Sequence, residues 1–170
     1  MKQIKPEELT RNPFQMIGKD WLLLTARKGE KINTMTASWG GVGILWGRPV
    51  AYLFLRPQRY TKEFVDAGTH LSISVMNESC RKLLSYFGTV SGRDEDKIAK
   101  SGLALAEEDG VPYFADAEIA MICRKLYAQP MDPRYTAEDW IDEKWYPDHD
   151  WHTMYVVEIE KTMVRSDSPQ

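Results

Sequence analysis

The chain has 170 residues, of which 43% are hydrophobic and 28% are charged, and its formal net charge at pH 7 is −3. These proportions are typical of a globular protein and argue against a disordered one. An acidic balance without a basic cluster also gives no long-range attraction for nucleic acid or for an anionic membrane surface, so we expect neither partner.

The first predicted elements are a polar arm and a hairpin. Residues 1–13 contain two prolines and show no sustained periodicity. The apolar run Trp21–Ala26 is followed by the turn-forming segment 28–31, and a second extended segment covers residues 32–39. This pattern predicts two strands joined by a tight turn. At Gly40–Gly41 the second strand stops, because adjacent glycines indicate a bulge or a closely approached backbone.

Four further strands are predicted along the chain. The run Val50–Leu55, opened by Pro49, is apolar on both parities, which predicts burial on both faces. Alternation of apolar residues with serines in Leu71–Val75 indicates a half-buried strand. Longer extended segments follow at Ala115–Tyr127 and His152–Lys161.

Short helices are predicted between the strands from their capping residues. Thr61 is a favourable N-cap, and Gly68 suits the position after the helix. Ser79 and Asp94 are N-cap candidates for two more helices. An acidic segment, residues 137–144, predicts another.

The whole chain, residues 1–170, is expected to form one domain because its length is near the commonest domain size. Residues 128–150 form a long excursion with three prolines, and long loops are often functional or part of an interface. The polar residues 165–170 are expected to be a loose tail. Many strands with short helices between them favour an antiparallel β-barrel over a βαβ arrangement.

The sequence predicts a cytoplasmic protein. No window reaches the roughly 20 apolar residues of a membrane-spanning helix, and the amino terminus lacks the apolar stretch of a signal peptide. Cys80 and Cys123 are far apart and have no metal-ligand spacing, as expected of free thiols in a reducing compartment.

Common signatures of nucleotide-binding proteins and hydrolases are missing from the sequence: it has no G-x-G-x-x-G, G-x-x-x-x-G-K-[ST] or G-x-S-x-G. The segment Asp148–His152 contains two histidines and two aspartates, which are competent metal ligands. The alternative is a solvated loop leading into a strand. We favour the loop and predict no metal, since no other His or Cys converges there.

Three segments carry the candidate functional residues. On the strand 33–39, the hydroxyl side chains at 34, 36 and 38 share one face and can donate to an anion or a ring carbonyl; the alternative is an ordinary amphipathic strand. The turn 56–61 places two arginines ahead of a helix start, which suits a phosphate, or else pairs with surface carboxylates. The third segment, 91–97, is a charged loop that leads into a helix.

In order and spacing, these three segments resemble the flavin reductase-like family of FMN-binding split barrels, including its flavoredoxin-type members. The matching pieces are N-T-M-T-A-S-W (33–39), R-P-Q-R-Y-T (56–61) and S-G-R-D-E-D-K (91–97). The likeness covers residues 14–102 well and the strand from His152 more weakly. The excursion at 128–150 does not match the simplest reductases.

The resemblance implies a mainly β fold: a six-stranded antiparallel split barrel with Greek-key topology and short peripheral helices. It implies a homodimer that binds FMN near the subunit interface, with His152 as a candidate catalytic residue near the nicotinamide or flavin. It also implies that phosphate is bound at Arg59, Thr61 and the helix start. The implied cofactor-binding residues are Asn33, Thr34, Met35, Thr36, Ala37, Ser38, Trp39, Arg56, Arg59, Tyr60, Thr61, Ser91 and Lys97.

The leading functional hypothesis is an FMN-dependent NAD(P)H oxidoreductase that passes electrons to flavin or another acceptor. One alternative is a flavoredoxin-like electron carrier with bound FMN, a redox partner protein and no direct NAD(P)H activity. A more distant alternative is a non-catalytic barrel that binds haem or another ligand. An excursion that covers the flavin face would restrict access for NAD(P)H.

Overall fold

The computed structural model describes residues 1–165 of the chain. Within them the strands are β1 (Lys2–Ile4), β2 (Leu22–Lys28), β3 (Lys31–Ala37), β4 (Gly40–Leu45), β5 (Arg48–Leu55), β6 (His70–Val75), β7 (Leu105–Glu108), β8 (Val111–Phe114), β9 (Ile119–Pro130) and β10 (Thr153–Val164). The α-helices are α1 (Pro13–Gln15), α2 (Tyr60–Ala67), α3 (Arg81–Thr89), α4 (Lys97–Ser101) and α5 (Trp140–Trp145). Three 3₁₀ turns (Pro6–Glu8, Glu78–Cys80 and Pro133–Tyr135) and a π-helical segment (Met16–Asp20) complete the list.

One antiparallel sheet organises the molecule. Its strand order is β3-β2-β6-β9-β10-β5-β4, with β1 added beside β10, while β7 and β8 form a separate hairpin. The end strands β3 and β4 do not pair with each other, so the sheet is not closed. The fold is therefore mainly β and antiparallel with short helices, as predicted, but it has ten strands instead of the expected six, and the sheet of the expected split barrel is not closed.

All six predicted strands exist, and the four strands missed are short or rich in glycine. β1 has three residues, and β7 and β8 have four each, which is too few for a periodic pattern to show. Three of the six residues of β4 are glycines. The predicted break at Gly40 is instead the start of β4, where the glycine packs against β5: a Cβ at this position would lie 2.7 Å from the carbonyl oxygen of Tyr52.

Two apolar clusters pack on opposite faces of the sheet because successive side chains alternate in direction. In β2, Leu22 and Leu24 join the cluster that includes Phe64 of α2, while Leu23 joins the cluster with Phe87 of α3. The strand β5 is not buried on both faces as predicted, since Tyr52 and Phe54 are only half-buried.

The strand β6 is more buried than its alternating pattern predicts. Ser72 and Ser74 are both 0% exposed. The Ser72 hydroxyl donates to the carbonyl oxygen of Pro112, and the Ser74 hydroxyl accepts from the amide of Phe114. The hairpin β7–β8, which the sequence did not reveal, therefore covers the serine face of β6.

Several helix starts differ from the predicted ones. The α2 helix begins at Tyr60, so Thr61 lies inside it and is not its N-cap. Asn77 caps the turn before α3 in place of Ser79. Asp96 caps α4 in place of Asp94, because its carboxylate accepts from the amide of Ala99. A neighbouring side chain thus makes the cap before α3 and at α4, while Arg59 at the start of α2 forms no side-chain capping bond.

The two predicted irregular regions contain more structure than expected. In the arm, β1 pairs with β10 and Asn12 caps α1. In the excursion 128–150, β9 continues to Pro130 and α5 follows at Trp140–Trp145, later than the predicted helix at 137–144. Of the predicted tail 165–170, residues 166–170 lie outside the described residues. No helix within residues 1–165 is both long and apolar enough to cross a membrane.

Candidate functional site

A groove runs along the face of β3 that carries its odd-numbered side chains. It consists of two cavities that share Met35, Arg56 and Arg59. The first, which we call the basic cavity, has a volume of about 290 Å³ and lies between the start of α2 and the segment 89–92. The second, the aromatic cavity, has a volume of about 390 Å³ and lies between the end of β3, Trp39 and His152. Together they reach the size range of small-molecule sites.

The threonine hydroxyls of β3 donate hydrogen bonds to backbone carbonyl groups of the protein and do not donate into the groove. Thr34 is 0% exposed, and its hydroxyl donates to the carbonyl oxygen of Leu24. Thr36 borders the aromatic cavity, but its hydroxyl donates to the carbonyl oxygen of Leu84. The structure thus brings Asn33, Met35, Ala37 and the following Ser38 and Trp39 to the groove, and it does not bring Thr34 there.

Two cations without a carboxylate partner lie in the basic cavity. Lys97 is 3% exposed, and its ammonium donates to the carbonyl oxygens of Phe87 at 2.8 Å and Val90 at 2.9 Å. Burial, together with the nearby Arg59, lowers the pKa of Lys97 to about 8. Burial and the charge of Arg56 lower the pKa of Arg59 as well. Among residues 1–165 neither cation forms an ion pair, so the cavity is suited to an anion.

The start of α2 forms the wall of the basic cavity opposite the α3–α4 connection. The Asn33 side-chain amide donates to the Thr61 hydroxyl at 2.9 Å, which fixes β3 against the helix. Tyr60 and Ser91 also line the cavity. The N–H groups of a helix start and its dipole attract anions, so α2 adds to the field of the two cations.

Arg93 holds the two sides of the basic cavity together, a role that the sequence analysis missed. Its guanidinium donates to the carbonyl oxygen of Gln58 and to the carboxylate of Glu63, and it lies 4.7 Å from the centroid of the Tyr60 ring. Sequence spacing gives no signal for this contact, because its partners are about 30 residues away along the chain.

Arg56, in contrast to Arg59, is bound by the excursion. Its guanidinium pairs with Asp150 and donates to the carbonyl oxygen of Trp145 at 2.8 Å. It also lies 5.2 Å from the centroid of the Tyr146 ring. The alternative of a turn arginine paired with a carboxylate therefore holds for Arg56 and not for Arg59.

Aromatic side chains from the excursion close one side of the aromatic cavity. Trp39 meets Trp145 edge to face at a centroid distance of 4.9 Å, and the His152 ring lies 5.1 Å from Trp39. Trp145 and Tyr146 were not among the predicted site residues. The only signal for them in the sequence was the density of aromatic residues in the excursion.

His152 is a neutral side chain at the floor of the aromatic cavity. It is 7% exposed, and burial together with the charge of Arg56 lowers its pKa to about 4. Its Nδ1 is hydrogen-bonded to the Tyr146 hydroxyl at 2.7 Å. Which of the two groups donates depends on the tautomer of the neutral ring, and Nε2 has no hydrogen-bond partner among the described residues.

The histidine and aspartate side chains of Asp148–His152 do not converge on a common point. Asp150 is paired with Arg56, and His152 is bonded to Tyr146. Within residues 1–165 no group of three or more His, Cys, Asp or Glu side chains is arranged to hold a metal ion.

Comparisons with known proteins identify relatives of this fold. The sequence model of the family described as "Flavin reductase like domain" matches residues 17–170. An FMN-binding protein from Thermus thermophilus superposes with a TM-score of 0.70 and 17% identity, over 98% of this chain and 83% of that chain. Flavoredoxin of Desulfovibrio vulgaris gives 0.70 and 20% over 100% and 79% of the two chains. The styrene monooxygenase flavin reductase of Pseudomonas putida gives 0.62 and 16% over 85% and 80%. At these identities the solved structures share the fold, and no curated protein matches the sequence.

Proposed function

Because the chain belongs to the flavin reductase-like family, we propose that its groove binds FMN, with the phosphate in the basic cavity and the isoalloxazine ring in the aromatic cavity. The observation that carries this proposal is the pairing of the two cavities. One end of the groove holds Arg59 and the buried Lys97 without a carboxylate, and the other end is lined by Trp39 and His152.

Each end of the groove suits the part of FMN assigned to it. A phosphate monoester carries close to two negative charges at neutral pH, which offsets the cost of burying Lys97 and Arg59 side by side. The backbone of β3 and the side chains of Met35 and Ala37 form an apolar wall for the ribityl chain and ring. The neutral His152 places its imidazole beside the ring.

We propose that the protein is an oxidoreductase that takes electrons from NAD(P)H and passes them to flavin or another acceptor. Bound flavin supplies the hydride and electron chemistry, and the chain binds it, orients it and restricts access to it. A flavin reductase among the structural neighbours supports this reaction class. The aromatic cavity opens to solvent beside Trp39, which is 38% exposed, so a planar donor ring has a route to the groove.

A second candidate function is that of an electron carrier with bound FMN and a redox partner protein. It is favoured by the contact of Trp145 with Trp39, which narrows the mouth of the aromatic cavity, and by the flavoredoxin among the neighbours. Stopped-flow mixing of the FMN-loaded protein with NADH and with NADPH separates the two functions. We expect NADH or NADPH to bleach the absorption band of oxidised flavin. If the band persists with both donors, the protein is an electron carrier and not a reductase.

The absorption spectrum of freshly purified protein tests FMN binding itself. We expect a flavin spectrum, or quenching of FMN fluorescence on titration if the cofactor is lost during purification. A haem absorption band, or the lack of any flavin binding, contradicts the proposal and favours the alternative of a non-catalytic barrel that binds another ligand.

Arg59→Ala tests the phosphate position. A charge-assisted hydrogen bond contributes about 1.5–3 kcal/mol, so the dissociation constant for FMN should rise about 10- to 100-fold. Lys82→Ala is the matched control, because Lys82 is an exposed cation on α3 outside the groove. An unchanged FMN affinity in Arg59→Ala would show that the phosphate is bound elsewhere.

We also propose that the protein forms a homodimer through the edge of its sheet at β4. Exposed apolar side chains gather there: Ile44 is 65% and Trp46 61% exposed, with Val42 on the same strand and Tyr127 beside Trp46. An edge strand with exposed apolar side chains is typical of an association surface. β4 follows Trp39 directly, which brings this edge close to the mouth of the groove.

A further inference from the structure

A third cavity, which we call the distal cavity, continues the groove beyond its basic end. It has a volume of about 540 Å³, larger than either part of the groove. Its walls are about equally polar and apolar, and the apolar part is formed by Ile32, Tyr60, Phe64, Ile98 and Leu105. Glu30, Lys31, Glu95 and Asp96 form a polar rim. The apolar, partly aromatic side of such a cavity is suited to a planar organic group such as a nucleobase.

The distal and basic cavities are separated by a thin partition. Four residues line both cavities: Asn33, Tyr60, Gly92 and Lys97. The backbone of Gly92 packs directly on the side chain of Asn33, since a Cβ on Gly92 would lie 2.2 Å from Asn33 Oδ1 and 2.9 Å from its Cγ. The passage between the cavities is therefore closed by the contact of Asn33 with Gly92.

Asn33 is held in this position from the other side. Its Nδ2 donates to the Thr61 hydroxyl at 2.9 Å, and the side chain is 4% exposed. Displacing it costs that buried hydrogen bond, so the partition does not open simply because a ligand is bulky. Lys97 does not fill the passage, because its ammonium is bonded to the carbonyl oxygens of Phe87 and Val90.

We propose that Asn33 is a specificity-determining residue that makes the groove select FMN over FAD. This inference rests on the proposed function. The phosphate of FMN ends at Arg59 and Lys97, on the near side of the partition. In FAD the same phosphate continues into a second phosphate and an adenosine, and the partition denies them the distal cavity. The second phosphate and the adenosine of FAD then collide with the partition, so FAD binds more weakly than FMN.

The partition makes Asn33→Ala a gain-of-binding variant for FAD. Removing the amide joins the basic and distal cavities and lets adenine reach the half-buried ring of Tyr60. Stacking of a base on an aromatic ring contributes about 1–3 kcal/mol, so the ratio of the FAD to the FMN dissociation constant should fall about 5- to 150-fold. The variant also frees the Thr61 hydroxyl, which affects both flavins alike and cancels in the ratio.

Ala99→Trp gives a matched control within the distal cavity. Ala99 is exposed, lines the distal cavity and does not line the basic cavity. Alone, this variant should leave FMN binding unchanged. Combined with Asn33→Ala, it should restore the preference for FMN, because the indole occupies the space that adenine would take.

The experiment is a fluorescence titration of wild type and variants with FMN, FAD and riboflavin. We expect the wild type to prefer FMN to FAD, Asn33→Ala to lose the preference, and the double variant to regain it. A wild type that binds FAD as tightly as FMN, or an unchanged ratio in Asn33→Ala, overturns the inference. If Asn33→Ala does not fold, Asn33→Ser, which is also smaller than asparagine and keeps a donor for Thr61, gives the same two outcomes.

Failure of the proposed function has a different signature in the same titration. Riboflavin lacks the phosphate, so equal binding of riboflavin and FMN shows that the phosphate is not in the basic cavity. A protein that binds none of the three contradicts the flavin site altogether. The inference about the partition alone fails if the protein binds FMN tightly and riboflavin more weakly, but the ratio of the FAD to the FMN dissociation constant is the same in the wild type and in Asn33→Ala.

Discussion

Lys97 is the residue whose charge state couples the groove to pH. Its pKa in the protein without ligand is lowered to about 8 by burial and by Arg59. A bound phosphate favours the ammonium form, so FMN binds best below this value. As the pH rises above about 8, the affinity should fall by up to about tenfold per pH unit, the limit for one linked proton. Fluorescence titrations between pH 6.5 and 9.5 measure this directly.

Lys97→Arg is the control for this pH dependence, because a guanidinium stays protonated throughout the range. Its affinity for FMN, whatever its absolute value, should be flat between pH 7 and 9.5. A flat profile in the wild type would mean that Lys97 does not face the phosphate.

His152 gives a second pH-dependent effect, on stability. Its pKa in the folded protein is lowered to about 4 from an ordinary 6.5. Between these values the unfolded chain binds a proton that the folded chain does not, so stability is lost as the pH falls through this window. The loss should reach about 1–2 kcal/mol at pH 5.

Urea unfolding of the wild type and His152→Gln at pH 7, 6 and 5 isolates this contribution. Glutamine does not titrate in this range. As the pH falls, the free energy of unfolding of the wild type should therefore decrease relative to that of the variant. A difference that is constant over this range contradicts the low pKa of His152.

For single residues, the sequence predicts which side chains have suitable chemistry for the site better than it predicts which other residues they contact. Arg59 and Lys97 were predicted from a motif, and the structure brings them to one cavity. Thr34 was predicted from its parity beside Thr36 and Ser38, but parity alone does not say which face of β3 meets the groove. Tyr146 had no signal of its own, because its role depends on His152 across a loop of irregular backbone.

At the scale of elements, the excursion 128–150 is attached to the groove by Arg56, together with Gln58, which donates to the same Asp150 carboxylate. The guanidinium is 25% exposed, and it joins the end of β5 to Asp150 and to the carbonyl oxygen of Trp145. Arg56→Met should destabilise the protein by about 1.5–3 kcal/mol, the contribution of hydrogen bonds to a charged group. It should also release Trp145 from Trp39. Chemical unfolding, tryptophan emission and limited proteolysis between residues 132 and 149 measure these changes.

Arg134→Met is the matched control for Arg56→Met. Arg134 pairs with Asp132 on the same excursion, but its side chain is 81% exposed. Exposed ion pairs contribute little, so this variant should leave stability and the proteolytic pattern unchanged. Equal effects of the two variants would mean that Arg56 does not attach the excursion to the groove.

The strands that the sequence predicts are those in which apolar residues follow one another or alternate with polar residues over several positions. The six predicted strands have apolar runs or alternation that the chain alone displays. β4 does not, since its pairing depends on Gly40 lying against Tyr52, a contact made between strands. The hairpin β7–β8 is equally invisible, because its strands are stabilised by covering Ser72 and Ser74 of β6.

At the scale of the whole molecule, the exposed apolar edge at β4 predicts a dimer. Stable interfaces bury about 800 Å² on each partner and have apolar centres, and Ile44 and Trp46 provide such a centre. The wild type should sediment with twice the mass of one chain at micromolar concentration. Ile44→Lys with Trp46→Lys places two cations at the centre of the interface and should yield a folded monomer.

Tyr135→Lys is the control for this double variant, because Tyr135 is an aromatic residue that is 82% exposed and belongs to the excursion and not to β4. It should remain a dimer. FMN titration of the monomeric variant then shows whether one subunit completes the groove. Since Arg59, Lys97 and His152 all belong to a single chain, the phosphate contribution should persist in the monomer. Any loss of affinity in the monomer should be equal for riboflavin and FMN, because it would arise in the aromatic cavity beside Trp39, which binds the ring that both ligands share. A wild type that is monomeric at every concentration would contradict the proposed dimer and leave the β4 edge without a partner.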